Sequence, residues 1–272
     1  MSLPARSILF VPGDRPERFE KAAASGADMV ILDLEDAVLP DGKAGARDRI
    51  HDALAAIDAP RFVVRVNSLG TDWHGDDVRA LAGLPGLTGL MLPKAEGPED
   101  FATMRSAKVP MHALVETVRG VLNLPALCAT EGLVRLSFGT VDFQVDAGID
   151  GDGVEIDAVR TMMVLHSKAA GLEAPVDGVS NDLADIEGLA RDAARSRRFG
   201  FGGKLCVHPR QVATVNAAFA PSATDVDWAE RVMTALDGAH GAVAVDGKLI
   251  DKPIVDRARQ VLAARESYGM AA

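Results

Sequence analysis

Short runs dense in Val, Ile, Leu and Phe recur along the chain and alternate with Ala-, Arg- and Glu-rich segments of helical period. That alternation is the signature of repeated β-α units joined into a parallel sheet. The runs are Arg6–Val11, Met29–Leu34, Phe62–Asn67, Leu87–Pro93, Met111–Thr117, Leu133–Gly139, Ala174–Val179 and Lys204–His208, each followed by a turn or helix signal. Eight is the number that closes a barrel, so the predicted fold class is α/β, a (β/α)8 TIM barrel over residues 1–220. The first helix has a start signal in Asp14, Pro16 and Glu17: a side-chain acceptor, a pre-set φ and a capping-box acid. Beyond the eighth unit, Asp225–Leu236 and Pro253–Arg265 read as two helices flanking Gly241–Asp251, a hairpin-like connector. Residues 221–272 are therefore expected to form a C-terminal helical extension. No low-complexity tract, fixed-period repeat or Ser/Gly linker divides the chain.

Composition narrows the partners. A chain of 272 residues with 48% hydrophobic content can bury one sizeable core, and α/β barrels commonly use about 250 residues. The net charge of −10 comes without a basic run, which argues against nucleic acid and anionic membrane and favours a small-molecule partner. Cys128 and Cys206 are too few for a disulfide framework and lack the paired spacing of a zinc or redox site, as expected in a reducing, cytoplasmic setting. The amino terminus lacks the pattern of an export signal, and no apolar run reaches about 18 residues.

Catalytic groups of such barrels sit at the carboxyl ends of the strands, and here those ends are polar. The second run ends in Glu35 and Asp36, the third in Arg65 and Asn67, the fourth in Lys94, the fifth in Glu116, the sixth in Asp142 and the seventh in Asp177. Any one of them is ordinary for a solvated strand end; the set sharing one rim points to a site. Carboxylates without His or Cys neighbours suit a hard, oxygen-preferring ion such as Mg2+. Glu116 and Asp142 are the expected direct ligands, with Glu35 and Asp36 close enough to hold metal-bound waters. The alternative for Glu35 and Asp36 is pairing with Arg47 or Arg65. Arg65 offers a planar fork for a substrate carboxylate, or else a salt bridge to Glu35. Lys94 is the candidate for a Schiff-base aldolase, against which neighbouring carboxylates would raise its pKa. His112, His166, Trp73, His74, Met162 and Met163 are expected to serve structure, and His208, at the end of the eighth run, either faces the pocket or positions the backbone before Pro209.

The strings that carry these residues resemble the citrate lyase β-subunit and malyl-CoA-type lyases of the HpcH/HpaI aldolase superfamily over nearly the whole chain. They are Ser7–Gly13 with Arg15–Phe19, Asp33–Val38, Lys43 with Arg47, Arg65–Asn67, Leu92–Lys94, Val115–Thr117 with Arg119-Gly120, Gly139 with Asp142, Gly203-Lys204 with His208-Pro209, and Gly247–Ile254. The chain departs from the family in having Phe143 directly after Asp142, where Leu or Tyr is common. The resemblance implies that Glu116 and Asp142 bind Mg2+ and that Arg65 holds the carboxylate of a 2-oxo acid. It also implies that Asp251 reaches a neighbouring subunit's site as acid/base, hence a homo-oligomer, a trimer or hexamer; from local sequence alone Asp251 reads as a helix N-cap. The reaction implied is retro-Claisen cleavage of a 3-hydroxy-3-carboxyacyl thioester into acetyl-CoA, or a relative, and a 2-oxo acid, with Mg2+ as Lewis acid. Arg15, Lys43 and Arg47, with Arg18, follow the early strands and are expected either to meet the thioester's phosphates or to form a solvated basic face. An alternative is a subunit active only within a citrate lyase complex on acyl-carrier-protein thioesters.

Overall fold

The structure is a computed structural model that describes residues 5–58, 61–237 and 244–268. All eight expected runs are strands: β1 (Ser7–Pro12), β2 (Met29–Asp33), β3 (Phe62–Arg65), β4 (Leu87–Leu92), β5 (Met111–Val115), β6 (Leu133–Phe138), β7 (Val176–Asp177) and β8 (Gly203–Cys206). They pair in parallel in sequence order and close into a barrel, with Ser7, Ile8 and Leu9 of β1 opposite Lys204, Leu205 and Cys206 of β8. Strand pairing ends earlier than the apolar pattern does in seven of the eight runs. Around the barrel lie α1 (Phe19–Ala23), α2 (Lys43–Ala55), α3 (His74–Leu81), α4 (Val118–Leu122), α5 (Leu124–Cys128), α6 (Thr140–Ala147), α7 (Asp157–Ala169) and α8 (Ile186–Phe199). Between β4 and β5 two short 3-10 turns, Pro98–Phe101 and Met104–Ala107, replace a helix. The start signal at Asp14 acts differently from expectation. Arg15 occupies the N-cap without a side-chain cap bond, and Pro16 opens a 3-10 turn that runs into α1.

Strand alternation builds the interior. Ile8, Ile31, Val63, Met91, Leu114, Val176 and Leu205 form one buried cluster, a residue from every strand but β6. In β6 the residue in register with Leu114 is Ser137, and the one in register with His112 is Arg135. Side chains alternate across a strand, so Arg135 and His112 both face inward at the amino-terminal floor. Arg135 is fully buried and donates to the carbonyls of Ala174 (2.7 Å) and Ala5 (2.8 Å), joining strands across the floor. Burial, with the Arg135 charge beside it, pulls the His112 pKa down to about 4, which keeps the ring neutral near pH 7.

Within α9 (Val212–Phe219), at Ala217, the chain passes into a second compact unit. Within it α10 (Ala223–Leu236) and α11 (Lys252–Ser267) pack through Ala229, Val232 and Ala258, and β9 (Ala244–Val245) pairs antiparallel with β10 (Lys248–Leu249). The hairpin turn uses Asp246 and Gly247, both at positive φ (52° and 73°), the geometry a two-residue turn requires. Ser222 caps α10 in a capping box with Asp225. The first residues of the expected connector, 241–243, lie outside the described residues.

Candidate active site

One step above the interior cluster, the same alternation aims a second set of side chains at the carboxyl-terminal mouth. From Ile8 it leads to Phe10 and Pro12, from Ile31 to Asp33, from Val63 to Arg65, from Leu114 to Glu116 and from Leu205 to Val207. All of these line a cavity of about 360 Å³, together with Asp36, Phe138, Gly139, Thr140, Val141 and Asp142. The wall is apolar on the β7 and β8 side, at Val179, Leu205 and Val207, and charged between β2 and β6.

Glu116 follows β5 and is almost fully buried. Its Oε1 accepts the backbone N–H of Lys94 (2.9 Å), and its other oxygen lies against Gly139, where an added Cβ would stand only 2.5 Å away. Burial, with Asp142 and Glu35 nearby, pushes the Glu116 carboxyl up to about 8, despite the opposing charges of Lys94 and Arg65. Asp142 sits in the first turn of α6 rather than on the strand end itself. The ring of Phe143 packs on Phe138 at 5.4 Å, so the departure from the family pattern anchors the turn that carries Asp142.

Arg65 is buried, and its Nε and Nη2 donate to the two oxygens of Asp33 (2.7 and 2.6 Å). The ring of Phe10 lies 4.9 Å from its guanidinium carbon. Burial disfavours the charge, but Asp33, Glu35 and Asp36 outweigh it and hold Arg65 protonated. Asp33 was not among the expected functional residues. The apolar run containing it hid it, yet counting two positions on from Ile31 would have found it.

The polar strand ends do not all converge. Glu35 is absent from the cavity wall. Its carboxylate accepts from Lys94 Nζ (2.6 Å) and Ser68 Oγ (2.9 Å) and pairs with Arg65 (3.0 Å), the pairing that stood as the alternative to a water-holding role. Although burial opposes ionisation, Arg65 and Lys94 hold the Glu35 pKa below its usual value. Asp36 does line the cavity, and burial beside Glu35 pushes it up to about 6. Asp177 faces outward to Arg160 (3.1 Å) and Ser196 (2.5 Å), and Asn67 donates to Asp77 (2.7 Å). Lys94 has a positive φ of 51°. Desolvation lowers its pKa, but the bond to Glu35 and the charges of Glu35, Glu116 and Asp36 raise it overall, the reverse of what a Schiff-base lysine needs.

Two of the basic residues expected at the thioester's phosphates are occupied inside the fold. Lys43 is buried and donates to the carbonyls of Leu34 (2.8 Å) and Glu35 (2.6 Å), fixing the loop after β2. Arg47 binds Asp77 (3.1 Å). Arg15 is exposed, 3.7 Å from Asp14. His74 bridges Asn67 O and Thr103 Oγ1 (2.8 and 2.6 Å), His208 Nδ1 accepts the Arg210 N–H (3.1 Å), and Met163 is core. In the second unit Asp251 is exposed and caps α11 by accepting the Ile254 N–H (3.2 Å).

The donor set at the mouth fits a hard divalent cation. Glu116 and Asp142 face one cavity, and burial raises the Glu116 carboxyl even though Lys94 stands 3.8 Å away, so a cation would relieve its desolvation. Among the described residues no three His, Cys, Asp or Glu side chains form a metal cage. A cation here would take its remaining ligands from water and substrate oxygens, which is the habit of Mg2+.

The sequence profile of the HpcH/HpaI aldolase/citrate lyase family matches residues 6–209. The chain belongs to this family. It is 38% identical over 261 residues to a "citrate lyase subunit beta-like protein" of Mycobacterium tuberculosis, covering 93% of each chain. It is 34% identical over 274 residues to a (3S)-malyl-CoA thioesterase of Cereibacter sphaeroides, covering 97% of this chain and 95% of that one. Among solved structures, the CitE protein of Mycobacterium tuberculosis in complex with magnesium, acetoacetate and coenzyme A superposes with a TM-score of 0.85. That match is at 35% identity, over 97% of this chain and 98% of the other. Family membership makes the chain an enzyme of the citrate lyase type. Among the described residues no helix is long and apolar enough to cross a membrane.

Proposed function

We propose that the chain is a Mg2+-dependent carbon–carbon lyase that cleaves a 3-hydroxy-3-carboxyacyl-CoA-type thioester to acetyl-CoA, or a relative, and a 2-oxo acid. The observation that carries this reading is that Glu116, Asp142 and Arg65 line one cavity. It is supported by the magnesium and coenzyme A bound to the CitE relative. Glu116 and Asp142 hold the ion, which when bound supplies a Lewis acid for the charge that moves as the bond breaks. Arg65 binds the carboxylate of the acid half. The hydroxyl gives its proton to solvent water as its carbon becomes the carbonyl of the 2-oxo acid. The carbon–carbon bond pair passes to the thioester fragment, and Asp251 of a neighbouring subunit protonates that fragment's carbon and regains a proton from solvent. This last role makes the active form a homo-oligomer, a trimer or hexamer. Arg15 meets the phosphates. Asp36 lies beside Arg65 and orders water at the ion.

The test is a panel of citramalyl-, malyl-, citryl- and methylmalyl-CoA, incubated with the purified chain with and without EDTA. The acyl-CoA and 2-oxo acid are measured separately from free CoA, since one relative is named a thioesterase. Chelator-sensitive formation of both halves is expected. Release of free CoA alone, or cleavage indifferent to EDTA, would overturn the reading. Activity only on a carrier-protein thioester would replace the CoA substrate with the lyase-complex alternative.

A further inference from the structure

Resting on the lyase reading, we infer that Asp33 is the residue that decides which edge of Arg65 is presented to substrate. A guanidinium has five N–H donors and can grip a carboxylate bidentately along either of two kinds of edge. Asp33 takes the side edge, through Nε (2.7 Å) and one Nη2 hydrogen (2.6 Å). Nη1 is ion-paired with Glu35 Oε2 at 3.0 Å, without an aligned hydrogen bond, and lies 3.6 Å from Asp36. With the side edge taken by Asp33, a second carboxylate is left the end edge between Nη1 and Nη2, where Glu35 flanks Nη1. The Phe10 ring restrains the guanidinium plane.

Asp33 does more than neutralise. Its Oδ1 also accepts the Glu35 N–H (2.9 Å) and its Oδ2 the Ala37 N–H (3.1 Å), so each oxygen joins Arg65 to the loop after β2. Asp36 and Ala37 of that loop line the cavity beside Arg65. A single buried carboxylate thus sets the orientation of the arginine and the position of the adjoining wall. Asparagine here would turn one acceptor into a donor facing two N–H groups, freeing the arginine to swing.

Asp33 acts through Arg65, so it is a positioning residue, and the experiment separates that role from a merely structural one. Pyruvate and Mg2+ binding are measured by calorimetry for the wild type, Asp33→Asn, Arg65→Lys and the double variant, beside kcat and KM for the thioester panel. In Asp33→Asn the affinity for pyruvate is expected to fall at least about tenfold and KM to rise in step. Mg2+ affinity should stay within about twofold and kcat within about threefold. The double variant should be no more than about twofold worse than Arg65→Lys, because the two changes disable one device. Multiplying effects, or unchanged pyruvate affinity in Asp33→Asn, would overturn the assignment. Should Asp33→Asn not fold, Asp33→Glu keeps the charge and displaces it by one methylene, and its pyruvate affinity is read the same way. A wild type that cleaves no thioester sinks the lyase reading and this inference with it. A wild type that cleaves, with a variant that keeps its pyruvate affinity, sinks the inference alone.

Discussion

Replacing Gly139 with alanine perturbs the proposed metal site without touching a charged group. The backbone there has φ −84° and ψ 77°, which an alanine adopts without left-handed strain, so the consequence is steric. The new methyl would stand 2.5 Å from Oε2 and 2.6 Å from Cβ of Glu116. Contacts this close do not persist, and Glu116 is buried with its other oxygen bound to Lys94 N–H, so the carboxylate or α6 must move by several tenths of an ångström. Overpacking of this kind costs about 1–3 kcal/mol. For a domain of about 150–250 residues each kcal/mol is about 2–4 °C in Tm, so a fall of about 2–12 °C is expected. A misplacement near 1 Å in a catalytic constellation costs on the order of 10²-fold in rate, and kcat/KM should drop by about that factor while Mg2+ affinity weakens. Gly75→Ala in α3 is the control, since an added Cβ there meets only the far end of the Arg79 side chain, at 4.0 Å; it should leave activity unchanged and raise stability by no more than about 1 kcal/mol. Calorimetric unfolding, Mg2+ titration and steady-state kinetics read all three quantities. A Gly139→Ala protein with wild-type Mg2+ affinity and turnover would refute the steric reasoning and the closeness of Glu116 to the ion.

Other expectations follow from the same geometry. Glu116, raised from the ordinary 4.5 to about 8, keeps a proton in the metal-free folded state that the unfolded chain has lost, so metal-free stability should decline as pH rises from about 4.5 to about 8. A cation must displace that proton, so Mg2+ affinity should climb about tenfold per pH unit until about pH 8 and then level off; a flat profile in titrations from pH 6 to 9 would contradict it. Lys43→Met strands the carbonyls of Leu34 and Glu35 and should lower stability by about 1–3 kcal/mol. Its effect on KM for the thioester should not vary with salt, as loss of a phosphate contact would. Asp251→Asn should lower turnover with Mg2+ binding intact, and mixing it with inactive Asp142→Asn chains under subunit exchange should restore activity. No recovery in exchanged mixtures would remove Asp251 from a neighbour's site.

The barrel was legible because its strands announce themselves by apolar runs, and the closure of β1 on β8 follows from having eight of them. What the pattern could not show was where hydrogen-bonded pairing stops. Glu35, Asp36, Glu116 and Asp142 all stand beyond the ends of β2, β5 and β6. There alternation is a weaker guide: it still carries Glu116 from Leu114 into the cavity, which Asp36 and Asp142 also line, but it fails for Glu35, which binds Lys94. Asp177, still within β7 beside the inward Val176, is turned outward to Arg160. Asp33 and Arg65 are the reverse case, still within paired strands and aimed by the register that buries Ile31 and Val63. Lys43 misled because its string suggested a surface cation, and only the fold reveals two carbonyls within reach of its ammonium. The Asp14 start signal failed for a local reason, since Pro16 favoured a 3-10 turn capped at Arg15.

The central claim is that Glu116 and Asp142 grip one divalent ion on which carbon–carbon cleavage depends. Its most direct test is Mg2+ titration by calorimetry of the wild type against Asp142→Asn, with citramalyl-CoA cleavage followed on the same samples. One site in the wild type is expected, with Asp142→Asn losing at least about tenfold in Mg2+ affinity and most of its cleavage rate. An Asp142→Asn protein that binds Mg2+ and cleaves the thioester as the wild type does would contradict the account.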